Sequence, residues 1–251
     1  MLYEKILDTD KILRKIMSKS ERISSKFVSL YKWFFEQNDK NVIVKFKMPP
    51  SFKSDNIQIN LQENQTIEVF IEGELPFLKG ILFMPIEKYE KSVLDNFFIL
   101  TLTKNNPTEW KFLIKSVSQK DLKADPKSCF LLGIDQKDNF PNEPLSPLLS
   151  LSVTYHFPAA CLYLGNYFLQ QGNKEDALEN YKIVADEYND PTSNLQTGIV
   201  LLQLHRDTEA VDYLQRASDS GLIAATTILK DIENGEQQKY LNEEENANLN
   251  A

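Results

Sequence analysis

Residues 158–217 carry the same pattern twice, 33 positions apart. The shift superimposes Pro158 on Pro191, Leu162 on Leu195, Gly165 on Gly198 and Leu169 on Leu202. It also sets Ala177 on Ala210, Leu178 on Val211 and Tyr181 on Leu214. The residue types match a helical hairpin. Proline opens the first helix, where its missing N–H costs nothing. Glycine lets the second helix approach, and alanine fits where the two cross. One such hairpin cannot bury its own apolar face, so it must stack on neighbours. A partial third unit, Ala224 to Ile232, closes the array, and Asn234-Gly235 ends its helix. The spacing therefore predicts helical hairpin repeats over 146–235. The Asn/Glu-rich residues 236–251 read as a disordered acidic tail.

Upstream the periodicity changes to two. Val42, Val44, Phe46 and Met48 alternate with Ile43, Lys45 and Lys47. Ile57, Ile59 and Leu61, then Ile67, Val69 and Ile71, then Phe98, Leu100 and Leu102 form further alternating runs. The turn clusters Pro49-Pro50-Ser51, Glu63-Asn64-Gln65 and Lys104-Asn105-Asn106-Pro107 separate them. Short strands closed by such turns make an antiparallel sandwich over 31–116. Asn64-Gln65-Thr66 has the form of a glycosylation sequon and is read as a plain turn.

Residues 1–30 lack Pro and Gly and read as one helix. Alternate steps of four and three pick out Leu2, Ile6, Thr9, Leu13, Ile16, Ser20, Ile23, Phe27 and Leu30, seven of them apolar. Two readings are open: a coiled-coil seam in which Leu2, Ile6, Leu13, Ile16 and Ile23 mediate self-association as a homodimer, or an amphipathic helix folded back on its own chain. Residues 117–145 read as a Pro-rich connector. Within it Cys129-Phe130-Leu131-Leu132 is apolar enough to dock on a neighbouring domain. Ser146-Pro147 has the form of a helix start.

Several function classes fit poorly. No apolar run reaches the length of a membrane span, and the N-terminus lacks the apolar stretch of a secretory signal. The net charge of −8 disfavours nucleic acid, which is held by basic surface. Cys129 and Cys161 are the only cysteines, and neither lies in a CxxC, so neither a disulfide framework nor a zinc site is expected. His156 and His205 lie in segments read as helical, without flanking ligand patterns. Phosphate-binding glycine loops and the nucleophile elbow are missing. No catalytic, cofactor-binding or metal-binding residue is expected, and the chain reads as a non-enzyme of a reducing, soluble compartment, the cytoplasm.

The strand region resembles a CS domain, most closely its NudC-like branch. The landmarks are Tyr31-Lys32-Trp33, Pro49-Pro50, Lys53-Ser54-Asp55-Asn56-Ile57, Gly73-Glu74-Leu75-Pro76, Leu78-Lys79-Gly80-Ile81-Leu82, and Leu102-Thr103-Lys104 followed by Glu109-Trp110. Two departures are the absence of an aromatic residue at Ser92-Val93-Leu94 and Lys111 where a second Trp is common. The 33-residue units resemble tetratricopeptide (TPR) and SEL-like repeats. Gly165, Phe168, Gly172, Ala177 and Tyr181 match in the first unit; Gly198, Ala210 and Ala217 match in the second. Together these imply an α+β multidomain chain: a small-heat-shock-like antiparallel β-sandwich plus TPR-like α-helical hairpin repeats, with an N-terminal helix.

The resemblance implies a non-catalytic co-chaperone or assembly adaptor. Its partners would be protein clients or heat-shock chaperones, with links to the dynein pathway. The alternative is a fixed structural component of a cytoskeletal or ciliary assembly. Repeats of this type imply protein binding on the face of the first helices, here Leu162, Asn166, Leu169, Leu195, Ile199 and Leu202. That face is too apolar for acidic chaperone tails. Asn166 stands where a carboxylate-clamp Asn would, but Leu162 replaces its Lys partner, so an amphipathic helix or another segment of this chain is the expected occupant.

Overall fold

The computed structural model describes residues 22–50, 52–117, 124–139 and 145–240. The chain divides between Phe157 and Pro158 into two compact units.

Among the described residues the first unit is built on eight strands: β1 Phe34–Gln37, β2 Asn41–Lys47, β3 Gln58–Gln62, β4 Thr66–Phe70, β5 Leu78–Leu82, β6 Ile86–Leu94, β7 Phe97–Lys104 and β8 Ile114–Ser116. They form two four-stranded antiparallel sheets, ordered β1-β2-β7-β6 and β3-β4-β5-β8. The alternation in the sequence decides which side chains face inward. Val42, Val44, Phe46, Phe98, Leu100 and Leu102 fill one inner face, and Ile67, Val69, Leu78 and Leu82 the other; all are buried. Aromatic rings join the layers. Phe77 lies edge-on to both Phe46 (5.4 Å) and Tyr31 (6.3 Å), geometries that suit the ring quadrupoles. The β3–β4 turn places Glu63 and Asn64 at positive φ, which Asn tolerates better than most residues. The sequon is therefore part of a tight hairpin. Trp33 and Trp110 are both buried in this unit. The Trp110 segment is held to β1 by reciprocal bonds: its N–H donates to Gln37 Oε1 and Gln37 Nε2 donates to its carbonyl, each at 2.9 Å. Lys104 Nζ donates to the same Gln37 oxygen and to the Thr108 carbonyl.

Several expectations need correction here. The helix predicted across 1–30 does not continue to its end, because Ser25–Lys32 is a 3-10 helix. Ile23, Phe27 and Leu30 are buried in the first unit, and the Ile23 N–H donates to the Tyr155 carbonyl at 3.0 Å. Ile23, expected in a self-association seam, is instead buried within this unit, and the apolar period there serves this chain's own core. Leu2, Ile6, Leu13 and Ile16 lie outside the described residues.

The second correction concerns the connector. Residues Pro126–Asn139 form a helix, α1, which pairs with α2, Pro147–Thr154. As the sequence indicates, Ser146 caps α2, its hydroxyl accepting from the Leu148 N–H with Pro147 in the first turn. Ala124, Cys129 and Leu148 form a small core between these helices, with Leu132 and Leu151 packed against it. Pro126, one of the prolines that suggested irregular chain, instead opens α1; Pro141 and Pro144 lie outside the described residues. α2 falls with α1 in the first unit, so the boundary between the two units lies after Phe157 rather than before 146.

The second unit contains α3 Pro158–Gln170, α4 Lys174–Tyr188, α5 Pro191–Gln203, α6 Asp207–Asp219 and α7 Ile223–Glu233. The 33-residue register is physical. A Cβ built on Gly165 would lie 2.5–2.9 Å from the Tyr181 ring, and one on Gly198 would lie 2.6 Å from Leu214 Cγ. Each glycine thus meets the residue sixteen positions on, at the same crossing of two hairpins. Ala177 and Ala210 are both fully buried. The α1–α2 pair has this crossing too, since a Cβ on Gly133 would lie 2.9–3.2 Å from Leu149, again sixteen residues on.

Helix ends share the register. Gly172 and His205, 33 apart, both have left-handed φ just after a first helix; His156 and Asn189, also 33 apart, do so after a second helix. The two histidines are thus helix-terminating residues, not helical ones. The third correction is at the C-terminus. Gln237–Tyr240, expected in a disordered tail, forms a 3-10 turn packed against α5 and α7.

Candidate protein-binding surfaces

The outer face of the β1-β2-β7-β6 sheet follows from register. Residues directly opposed across antiparallel strands share a face. Phe34 faces Lys45, Lys45 faces Ile99 and Ile99 faces Ser92; in the next row Glu36, Ile43, Thr101 and Glu90 align; in another, Lys47, Phe97 and Leu94. Apolar side chains therefore stand on the solvent side as well as in the core. Phe34 is 48% exposed and Leu94 63% exposed, while Ile43, Phe97 and Ile99 are half-buried. Phe34 and Phe97 meet edge to face at 6.2 Å. Lys45 Nζ lies 5.7 Å from the Phe34 ring centre and 2.7 Å from Glu36, so the apolar patch has a charged border. Val93 is 49% exposed on the neighbouring edge strand β6, which among the described residues pairs on one side only. Solvent-facing apolar groups in a cluster are the usual mark of an interaction surface.

A second feature fixes the first hairpin to the sandwich. Asp125 is fully buried and caps α1. Its Oδ1 accepts from the Ser128 N–H and its Oδ2 from the Lys79 N–H of β5, both at 2.9 Å. One carboxylate thus serves a helix N-terminus and a strand together. Burial pushes its pKa up to about 6, and the hydrogen bonds with the nearby Lys127 pull in the opposite direction. Lys127 sits 4.3 Å from the Trp33 ring centre and donates to the Trp33 carbonyl. Burial lowers its pKa to about 8. These groups are structural in placement: each faces backbone or a ring rather than an open cleft.

The six residues expected on the first-helix face do not form one open surface. Asn166 is exposed, and Leu162, Leu169 and Leu195 are half-buried. Ile199 is 6% exposed and Leu202 is 0% exposed, so both serve packing in this conformation. Asn166 Oδ1 accepts from the Tyr181 hydroxyl at 2.6 Å, a contact that ties the first helix of the hairpin to the second. Leu202 is buried because α5 packs against α4 and α6 and also carries the Gln237–Tyr240 turn.

Sequence reasoning missed the sandwich face. A signal was present: Ile43 and Ile99 sit out of phase with their strands' inward residues, and a strand apolar on both phases is covered on both sides or offers one side to a partner. Among the described residues, no group of three or more His, Cys, Asp or Glu side chains is placed to hold a metal. No single helix among them is long and apolar enough to cross a membrane. Both cysteines are buried and neither is in a disulfide, and burial raises the Cys129 thiol well above its ordinary range.

Comparison with known proteins bears on the sandwich alone. No curated protein matches the chain. Among solved structures, a nuclear movement protein from E. cuniculi is similar at 19% identity, over 33% of this chain and 98% of its own, with a TM-score of 0.29. The CS1 domain of USP19 is similar at 18% identity, over 33% of this chain and 95% of its own, with a TM-score of 0.26. The family model for the CS domain matches residues 30–95, so this part of the chain, from the last residues of the 3-10 helix through β6, is a CS domain.

Proposed function

We propose that this chain is a non-catalytic co-chaperone or assembly adaptor, acting in the cytoplasm, that holds protein clients or chaperones on its CS sandwich. The observation that carries the reading is the solvent-facing cluster of Phe34, Ile43, Phe97, Ile99 and Leu94 with its Lys45 border. Such a face suits partly folded clients, which offer apolar segments and free backbone. Among the described residues β6 is also a sheet edge, the element used when an extended peptide joins a sheet. The NudC-like likeness of the landmarks and the TPR-like character of the hairpins both fit an adaptor with two recognition modules.

The reading is tested with the full-length chain against thermally unfolding citrate synthase, followed by light scattering. The wild type is expected to suppress aggregation. The Phe34→Ser/Leu94→Ser variant should lose most of that suppression while its own melting temperature barely moves, since substitutions at exposed sites usually stay within about 0.5 kcal/mol. Equal suppression by both proteins, or none by the wild type, refutes the assignment of this face. Stoichiometric co-purification with one large assembly and no holding activity would favour the fixed structural component instead.

A further inference from the structure

We propose that the face formed by α5 and α7 is a binding site for a short partner segment bearing a basic residue followed by an aromatic one, and that this chain's own Lys239-Tyr240 fills it as an internal competitor. The inference concerns the second unit and does not depend on the role of the sandwich.

The placement of the turn is selective. Gln237–Tyr240 packs on α5 and α7, which are first helices of successive units: Pro191 opens α5, and Ala224, 33 residues later, stands in the first turn of α7. The turn therefore lies where the array presents its first helices, over the helix that carries Ile199 and Leu202. Tyr240 is only 6% exposed. A buried aromatic side chain has the character of an anchor in a pocket rather than of a linker residue.

Asp231, on α7, supplies the polar half of the seat. Its carboxylate accepts from the Tyr240 hydroxyl and lies 2.8 Å from Lys239 Nζ. Lys239 Nζ also lies 5.5 Å from the Tyr240 ring. The seat thus reads a cation and a phenol side by side, with one carboxylate between them. The segment is a four-residue 3-10 turn, and Gly235, at positive φ, forms the bend that returns it. Because Asp231 receives both Lys239 and Tyr240, a partner segment with the same pair of groups competes for the same carboxylate. An occupant tethered by so short a linker acts at an effective concentration of about millimolar. A free segment at micromolar concentration is excluded until the tether is weakened or a second contact adds to its affinity.

The test uses the full-length chain and a fluorescein-labelled synthetic peptide of sequence GEQQKYL, read by fluorescence anisotropy. Wild type should bind it at least about tenfold more weakly than the Lys239→Ala/Tyr240→Ala variant. Adding Asp231→Asn to that variant should remove the binding, as should replacing Lys and Tyr of the peptide by Ala. Equal affinity for wild type and the double variant, or no binding by a double variant of unchanged helicity, overturns the proposal. A complementary measurement does not depend on the double variant: hydrogen exchange across 237–240 should be slower in wild type than in the single Asp231→Asn variant. Equal exchange means that Asp231 does not hold the segment, and the proposal fails.

Discussion

Replacing Asp125 by alanine tests the union of α1 with the sandwich. The substitution removes the N-cap of α1, typically about 1 kcal/mol. It also orphans the Lys79 N–H, which costs about 1–3 kcal/mol when buried. Against this stands the cost of keeping a carboxylate dry. The folded-state pKa is raised, to about 6 from 3.8. For an acid shifted in that direction, the unfolded state releases its proton first as pH rises. The group's contribution is therefore fully present below the unfolded value and is lost as pH passes through the folded value. Between pH 4 and pH 7 this loss amounts to about 2 kcal/mol, from a shift of about two pKa units at 1.36 kcal/mol each, most of it falling in that window. The alanine variant should thus be less stable than wild type by about 3 kcal/mol at pH 4, and the gap should narrow to about 1 kcal/mol at pH 7. The assay is urea denaturation followed by tryptophan fluorescence. Trp33 and Trp110 are the only tryptophans, and both report on the first unit. A gap that is constant or widens with rising pH refutes the argument that burial dominates at Asp125.

Two further substitutions test the packing. Gly165→Ala drives a Cβ against the Tyr181 ring and should cost about 1–3 kcal/mol of overpacking, partly offset by about 1 kcal/mol of helix propensity. In a double-mutant cycle by circular dichroism it should couple to Tyr181→Leu by more than about 0.5 kcal/mol, and additivity would mean that the two do not meet. Gln37→Ala should lower stability by about 2–4 kcal/mol, since it breaks both bonds to Trp110 and leaves Lys104 short of an acceptor. A loss below about 0.5 kcal/mol would show that the Trp110 segment is held by packing alone.

Periodicity determined much of this protein. Alternation at Val42, Val44 and Phe46 and at Phe98, Leu100 and Leu102 marks the inner face of one sheet before any contact is known, because a strand's side chains change sides at every residue. The 33-residue repeat marks the crossings at Gly165 and Gly198, because a hairpin can close there only without a side chain. Ser146-Pro147 likewise marks the start of α2 through local backbone chemistry.

What the sequence left open depended on groups distant along the chain. Asp125 is one acidic residue among many until Lys79 and Ser128 approach it. The α1–α2 hairpin shares the crossing geometry of the others, yet its repeat is hidden: its spacing from the next unit is 32 rather than 33, and Leu145 stands where later units have Ala177 and Ala210. Ile23 fits a self-pairing seam as well as it fits a core, since an apolar period states only that a face is covered. Tertiary structure decided what covers it. The same holds for Leu202 and for Lys239-Tyr240, whose seat exists only once the turn packs on both α5 and α7. Local pattern determines which residues leave water, and long-range packing determines what they leave it for.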